Sequence, residues 1–334
     1  MLFSTHPMYL EHIAGRNHPE RPERLNAVIE GSRLAEVADA LSPLEPVAAS
    51  LEIVERVHPA AYLSHLKLVS EAGGGRLDPD TAVSAGSWAA ALLAAGAGLT
   101  AIAALQRGEG TAAFCAVRPP GHHATRDESM GFCLISNVAV AAMALVDQGE
   151  RVIILDYDAH HGNGTEAVFF DDPRVLFVSF HQWPLYPGTG AAHDLGVGNG
   201  FGYTMNIPLP PNATGEHYLR AFDELVAPRA QAFAPTWLII SAGFDGHRDD
   251  PITDLGLSSG DFALLTQRAL RLVPEGRRLV MLEGGYDLRA LTLSTAAVLG
   301  ALAGRDVQPE APTSGGPGAA NINGCLDIWA EIPV

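Results

Sequence analysis

The densest group of titratable residues lies in "RVIILDYDAHHGNGTE", Arg151 to Glu166, where an apolar run meets Asp156, Asp158, His160 and His161. Asp158 and His160 are two apart, so in an extended chain both side chains point to one side and can reach one ion. Asp245 ends the uncharged run "WLIISAGF", where a buried carboxylate is costly unless paired or coordinated. Two carboxylates, one imidazole and an open position make a catalytic zinc geometry, whereas structural zinc sites are usually closed and rich in Cys. A set without thiolate leaves Fe(II), Mn(II) and Co(II) open as well.

A metal site that cleaves an amide also needs a base for water and an acid for the leaving amine. The tandem His122-His123, in "RPPGHHA", suits both tasks near neutral pH. A donor opposite the metal is the remaining requirement. Tyr286 in "LEGGYD" follows two glycines, which let the backbone turn tightly and leave the ring room to swing over the ion.

These residues share one kind of position. Short apolar runs recur at "TAAFCAV", "RVIILDYD", "VLFVSF", "YTMNIPL", "TWLIISAGFD" and "RLVMLEGGYD", separated by Ala/Leu-rich helical stretches such as "NVAVAAMALVDQG". Strands alternating with helices predict crossover units and a parallel sheet. Nearly every run ends in a polar or Gly cluster, and in open parallel sheets ligands sit beyond the carboxyl ends of the strands. The clusters are therefore expected to converge on one rim. No repeat period and no linker interrupts the chain before the tail around "PTSGGPGAA", so a single domain over 1–334 is expected.

Composition narrows the functional classes. With 47% hydrophobic and 18% charged residues, the chain reads as a compact globular protein. A formal charge of -17 weighs against nucleic-acid and acidic-membrane partners and tolerates a cationic one. Cys115, Cys133 and Cys325 form no CxxC pair, which argues against a disulfide scaffold or thiolate zinc site and for a reducing compartment. The opening "MLFSTHPMYL" lacks the basic and apolar regions of a signal peptide, so a cytoplasmic protein is expected. The uncharged stretch Ser87 to Gln106 is long enough for a membrane span, but its Ala/Gly content predicts a helix buried between layers.

In order along the chain, "HPERPERL", "RPPGHHA", "MGFCLISNVAVAA", "LDYDAHHGNGTE", "VSFH", "YPGTG", "NIPLP", "SAGFDGHRDDP" and "LEGGYD" together resemble the zinc-dependent histone deacetylase superfamily. The resemblance is to its class II branch and to the bacterial histone deacetylase-like amidohydrolases. It implies an arginase-deacetylase α/β fold, with a central parallel sheet of about eight strands flanked by helices. It further implies that Asp158, His160 and Asp245 hold zinc. His122 is then mainly electrostatic, His123 the general base and acid, and Tyr286 the donor to the substrate carbonyl. Asp156 would orient His122 and, with the Ser179 side chain and the carbonyls of Asp158, His160 and Phe180, bind a structural potassium ion.

The departures from the family pattern bear on activity and substrate. Asn163 stands where class I enzymes carry Asp behind the second His, so the base should be less strongly supported. Phe132, beside Gly131, matches one aromatic wall of the substrate channel, and Tyr186 stands where the other wall is more usually Phe. Such walls suit the methylenes of an acyl-lysine stem. Ile252 occupies the position at which the polyamine deacetylase of this branch has Glu, which disfavours acylated polyamines. Asp80, with Asp78, is expected near the rim, where it could orient a peptide backbone. Asp127 and Glu128 could supply charge there instead.

The implied reaction is metal-assisted hydrolysis of an N-acyl-lysine amide, with an acylpolyamine or another small acylated amine as the alternative substrate. An arginase-type manganese ureohydrolase would need further Asp ligands that "DYDAHHGNG" does not supply, and a silent acyl-lysine binder would not need the full set of metal, His and Tyr residues. A homo-oligomer is compatible with the sequence.

Overall fold

The computed structural model describes residues 1–34 and 37–332. Its frame is an eight-stranded parallel sheet built from β1 (Leu2–Ser4), β2 (Ser42–Leu44), β5 (Ala113–Cys115), β6 (Val152–Asp156), β7 (Val175–Gln182), β8 (Thr204–Leu209), β9 (Trp237–Ala242) and β10 (Arg278–Leu282). A separate antiparallel hairpin joins β3 (Gly74–Arg76) to β4 (Ala82–Ser84). The large sheet runs in the order β2-β1-β5-β10-β9-β6-β7-β8. Every residue of β5, β6, β7 and β9 is buried, as expected of parallel strands covered by helices on both faces. The result is a single α/β domain.

Topology creates the rim. The chain passes from β5 to β6 across two places that β9 and β10 fill later, so β5, β10, β9 and β6 are neighbours although they are distant in sequence. Register aligns their ends: Cys115 pairs with Met281, Leu282 with Ala242, and Asp156 with Ser241. The polar clusters after these four strands consequently open on one edge, where such sheets place their ligands.

Three local features differ from the expectations. β1 and β2, the latter at the sheet's edge, are three residues long, too short to carry a period-2 signal, and the His-Pro break after β1 hides them further. β6 ends at Asp156 and the chain bends over 158–160, so Asp158 and His160 meet through a turn, not through the alternation of an extended strand. Beyond the Gly/Pro tail, helix Ala319–Ala330 folds back, burying Ile322, Cys325 and Trp329, and Asn321 Nδ2 donates to the Pro208 carbonyl at 3.3 Å.

Helix Ser87–Gln106 packs inside the protein, with 67% of its most apolar window buried. Ala and Gly let it lie close. A Cβ on Gly96 would overlap the Val47 carbonyl, and one on Gly98 would press on Met281 of β10.

Candidate active site

Asp158, His160 and Asp245 bring three ligand atoms within 4.8 Å of one another. His160 Nδ1 lies 3.2 Å from Asp158 Oδ1 and 2.9 Å from Asp245 Oδ2. All three residues are buried, and the backbone holds the carboxylates in place. Gly284 N donates to Asp158 Oδ2 at 2.8 Å, and Ala159 N donates to Asp245 Oδ1 at 2.7 Å. Gly243 and Gly284 are needed here for closeness: a Cβ on either would overlap Asp158 Oδ2 or Asp245 Oδ2.

The electrostatics of this cluster are those of two buried anions sharing one cationic partner. Burial, together with the Asp158 charge, raises Asp245 to about 6. Burial opposes the His160 imidazolium, yet Asp245 and Asp158 outweigh it and raise that group to about 10. A dication in place of the His160 proton would relieve both carboxylates, so the donor set fits zinc or another borderline metal ion.

The two histidines beside the cluster are driven apart. His122 Nδ1 sits 3.0 Å from Asp156 Oδ2 and its Nε2 3.7 Å from Asp158 Oδ1. Burial disfavours its charged form, but Asp158 and Asp156 prevail and hold it well above the usual imidazole range. His123 is held well below that range by burial, reinforced by His122 and His160. His123 Nδ1 is 2.7 Å from Asn163 Oδ1, while the Asn163 amide nitrogen turns to Met130 Sδ. An amide oxygen only accepts, so Nδ1 carries the proton and Nε2 is the basic nitrogen.

Helix Asn163–Phe169 steadies this loop. Its first turn has unpaired N–H groups, and those of Gly164 and Thr165 donate to the His122 carbonyl at 2.9 and 3.2 Å.

Tyr286 is buried, close enough to Asp245 and Asp158 to feel their charge. Its ring meets Phe132 edge-on at 5.7 Å, and the Arg24 guanidinium lies 5.0 Å from the ring centroid. The Tyr186 ring is perpendicular to His123 at 5.2 Å and 36% exposed. Phe132 adopts a left-handed φ of 68°, unusual for a bulky residue. The strain is held by neighbours: Gly131 N donates to Asp80 Oδ1 at 3.1 Å, and Phe132 N donates to Thr81 Oγ1 at 3.0 Å.

The Histone deacetylase domain model matches residues 18–302, which include every residue described so far in this site. The chain belongs to the histone deacetylase family. It is 43% identical over 309 residues, 90% of this chain and 86% of the relative, to a probable deacetylase of Archaeoglobus fulgidus. It is 37% identical to a histone deacetylase-like amidohydrolase of Pseudomonas aeruginosa, over 87% of this chain and 78% of that one. The crystal structure of the HDA15 HD domain superposes with a TM-score of 0.91 at 34% identity, covering 99% of this chain and 94% of that chain. The protein is accordingly a hydrolase acting on amides, and its family acts on acylated substrates.

Within this deacetylase frame the remaining expected residues fall as follows. Asp156 and Ser179 face one another in register across β6 and β7, with Ser179 Oγ 3.0 Å from His181 Nδ1. Phe180 is buried and stacks on Tyr218 at 5.0 Å. Ile252 is half-buried in the loop after Asp245, its N–H on Asp250 Oδ1 at 3.1 Å. Asp80 Oδ1 accepts from Gly131 N at 3.1 Å and from Thr81 Oγ1 at 2.7 Å.

The residues that the sequence reading missed are the buried charges behind the site. Glu283 Oε2 accepts from the N–H groups of Gly121 and His122 at 2.7 and 3.1 Å, and burial raises it to about 7. Arg24 Nε donates to the Gly285 carbonyl at 2.6 Å, and its Nη1 donates to Glu20 Oε1 at 3.1 Å. Arg118 forks onto the other side of Glu20, with Nη2 2.6 Å from Oε2. One buried carboxylate thus ties the start of the His-pair loop to the Tyr286 loop. All four lie in motifs quoted above; for Arg118 and Glu283 a charge just beyond an apolar strand was the available signal, whereas Glu20 and Arg24 sit at a helix start and follow no strand.

Proposed function

We propose that this protein is a zinc-dependent amidohydrolase that removes acetyl or other short acyl groups from N-acyl-lysine side chains. The observation that carries the proposal is the pairing of a buried Asp158–His160–Asp245 cluster with a neutral His123 whose basic nitrogen is defined by Asn163. Zinc, or Fe(II) in its place, would be held by Asp158, His160 and Asp245 and would polarise the scissile carbonyl and activate water. Potassium would be held near Asp156 and Ser179, with the carbonyls of Asp158, His160 and Phe180 completing its shell.

The chain's own residues do the rest. His123 Nε2 takes a proton from the attacking water, and Asn163 keeps the imidazole in the tautomer that can do so. His122 remains cationic and stabilises the negative charge that builds up beside it. Tyr286 hydroxyl donates to the substrate carbonyl oxygen, more strongly as that oxygen becomes an anion. A protonated imidazole of the pair then donates to the leaving lysine amine. Phe132 and Tyr186 take the methylene stem between aromatic faces and exclude water from it.

This ligand set makes metal affinity dependent on pH. His160 must lose a proton to bind, and in the metal-free chain it holds that proton up to about 10. Affinity is therefore expected to rise with pH across neutrality, by about tenfold per unit. Competition against a chelator at two pH values reads the slope, and a flat response would mean that metal binding displaces no proton from His160 in this range.

An acylpolyamine hydrolase is the second reading, favoured by one observation. Asp78, Asp127 and Glu128 line a recess of about 310 Å³ next to Met130, charge that a distal ammonium would find attractive. Steady-state rates on an acetyl-lysine peptide, a trifluoroacetyl-lysine peptide and acetylspermidine, each with and without a hydroxamate, separate the two. Hydroxamate-sensitive cleavage is expected to favour the lysine peptides. Preference for acetylspermidine would transfer the function to polyamines, and hydroxamate-resistant cleavage would refute the metal mechanism.

A further inference from the structure

We propose that Asp250 is a positioning residue for Tyr286, a role that rests on the function proposed for that tyrosine. Asp250 lies in the loop after β9, five residues beyond Asp245, and its side chain crosses to the loop after β10. Oδ2 accepts from Tyr286 N at 2.7 Å and from Asp287 N at 3.4 Å, while Oδ1 accepts from Ile252 N at 3.1 Å. The residue is only 6% exposed, and among the described residues no Lys, Arg or His forms an ion pair with it. A carboxylate buried on backbone N–H groups alone is expensive to keep unless those groups must be held.

The Tyr286 loop needs holding. Gly284 and Gly285 precede the tyrosine, and Gly285 has a φ of +116°, so the segment has few intrinsic restraints on where it places the ring. Arg24 fixes the Gly285 carbonyl on one side. On the other side Asp287 caps helix Leu288–Leu302, with Ala290 N on its Oδ1 at 2.8 Å. Between these points the Tyr286 N–H is anchored by Asp250. The Asp250 loop is itself tied to the metal-ligand cluster, since Thr253 Oγ1 donates to the Asp245 carbonyl and Asp250 N donates to the His247 carbonyl at 2.9 Å. One side chain thereby sets the height of the phenol relative to Asp245.

The test is a double-mutant cycle on the full-length, metal-loaded protein with a trifluoroacetyl-lysine peptide, an activated substrate that keeps slow variants measurable. Asp250→Asn has a single acceptor oxygen and cannot hold both Ile252 and Tyr286. It is expected to lower kcat by about ten- to hundredfold, the scale of a misplacement near 1 Å, with KM little changed and metal content equal. In a Tyr286→Phe background the same change should cost no more than about twofold, because the hydroxyl it positions is gone. Hydrogen exchange of the peptide 283–287 should quicken in Asp250→Asn, a readout independent of turnover. Should Asp250→Asn fail to fold, Asp250→Glu, which keeps the charge but shifts the carboxylate by one methylene, enters the same cycle. An equal loss in both backgrounds, or unchanged exchange, overturns the role of Asp250 alone. Full activity of Tyr286→Phe by itself would instead overturn the reading of Tyr286.

Discussion

His123→Ala is expected to lower turnover on the best acylated substrate by about 10²–10⁴-fold, the usual contribution of a well-placed general acid–base group. Metal content and KM should stay near those of the unaltered protein, because His123 lies outside the Asp158–His160–Asp245 cluster. Two features place the effect on His123 and not on its neighbour. Its Nδ1 proton is committed to Asn163, leaving Nε2 as the acceptor. Its burial, with His122 and His160 alongside, keeps it neutral, whereas Asp156 and Asp158 keep His122 charged despite burial. A base must be neutral before it acts, so on the proposed mechanism this environment would make His123 the proton acceptor and His122 the cation of the pair. Rates of His123→Ala within threefold of the unaltered protein would exclude it as the base.

Asp245→Asn is the second large effect. It should abolish metal retention and reduce hydrolysis by about 10³-fold or more, since a bound metal supplies several kcal/mol of charge stabilisation at the carbonyl. Stability separates loss of metal from loss of fold. Burial and Asp158 raise Asp245 to about 6 in the metal-free chain, above its unfolded value. A raised acid binds its proton more tightly when folded, so ionising it lowers stability progressively as pH rises from about 4 to 6. Above that window the metal-free Asp245→Asn protein, which carries no such charge, should be at least as stable as the metal-free original. Added zinc should raise Tm for the original by mass action and leave the variant unmoved. An equal zinc-induced shift in both proteins would mean that Asp245 is not a ligand.

Much of this site was legible along the chain because its chemistry is concentrated at strand ends. Asp158 and His160 announce themselves by spacing, and the His122-His123 pair and Tyr286 by the motifs that follow apolar runs. The parallel sheet was equally legible, since strands buried on both faces read as continuous apolar stretches. β1 and β2 were not, being three residues each and so too short to show a hydrophobic pattern.

By itself the sequence determined which side chains could bind a metal, move a proton and line a channel, and that they would gather beyond the carboxyl ends of parallel strands. Only the tertiary structure decided which atoms meet. Asp245 reaches His160 from a strand inserted later into the sheet, and Glu283, Glu20 and Asp250 each tie one loop to another. The reason is physical. At many points in the site a carboxylate accepts from a backbone N–H, as in Asp158 with Gly284, Asp245 with Ala159, Glu283 with His122 and Asp250 with Tyr286. The acceptor is written in the sequence as Asp or Glu, but every residue except proline carries the same donor, so the partner becomes visible only when the fold brings it within 3 Å or so.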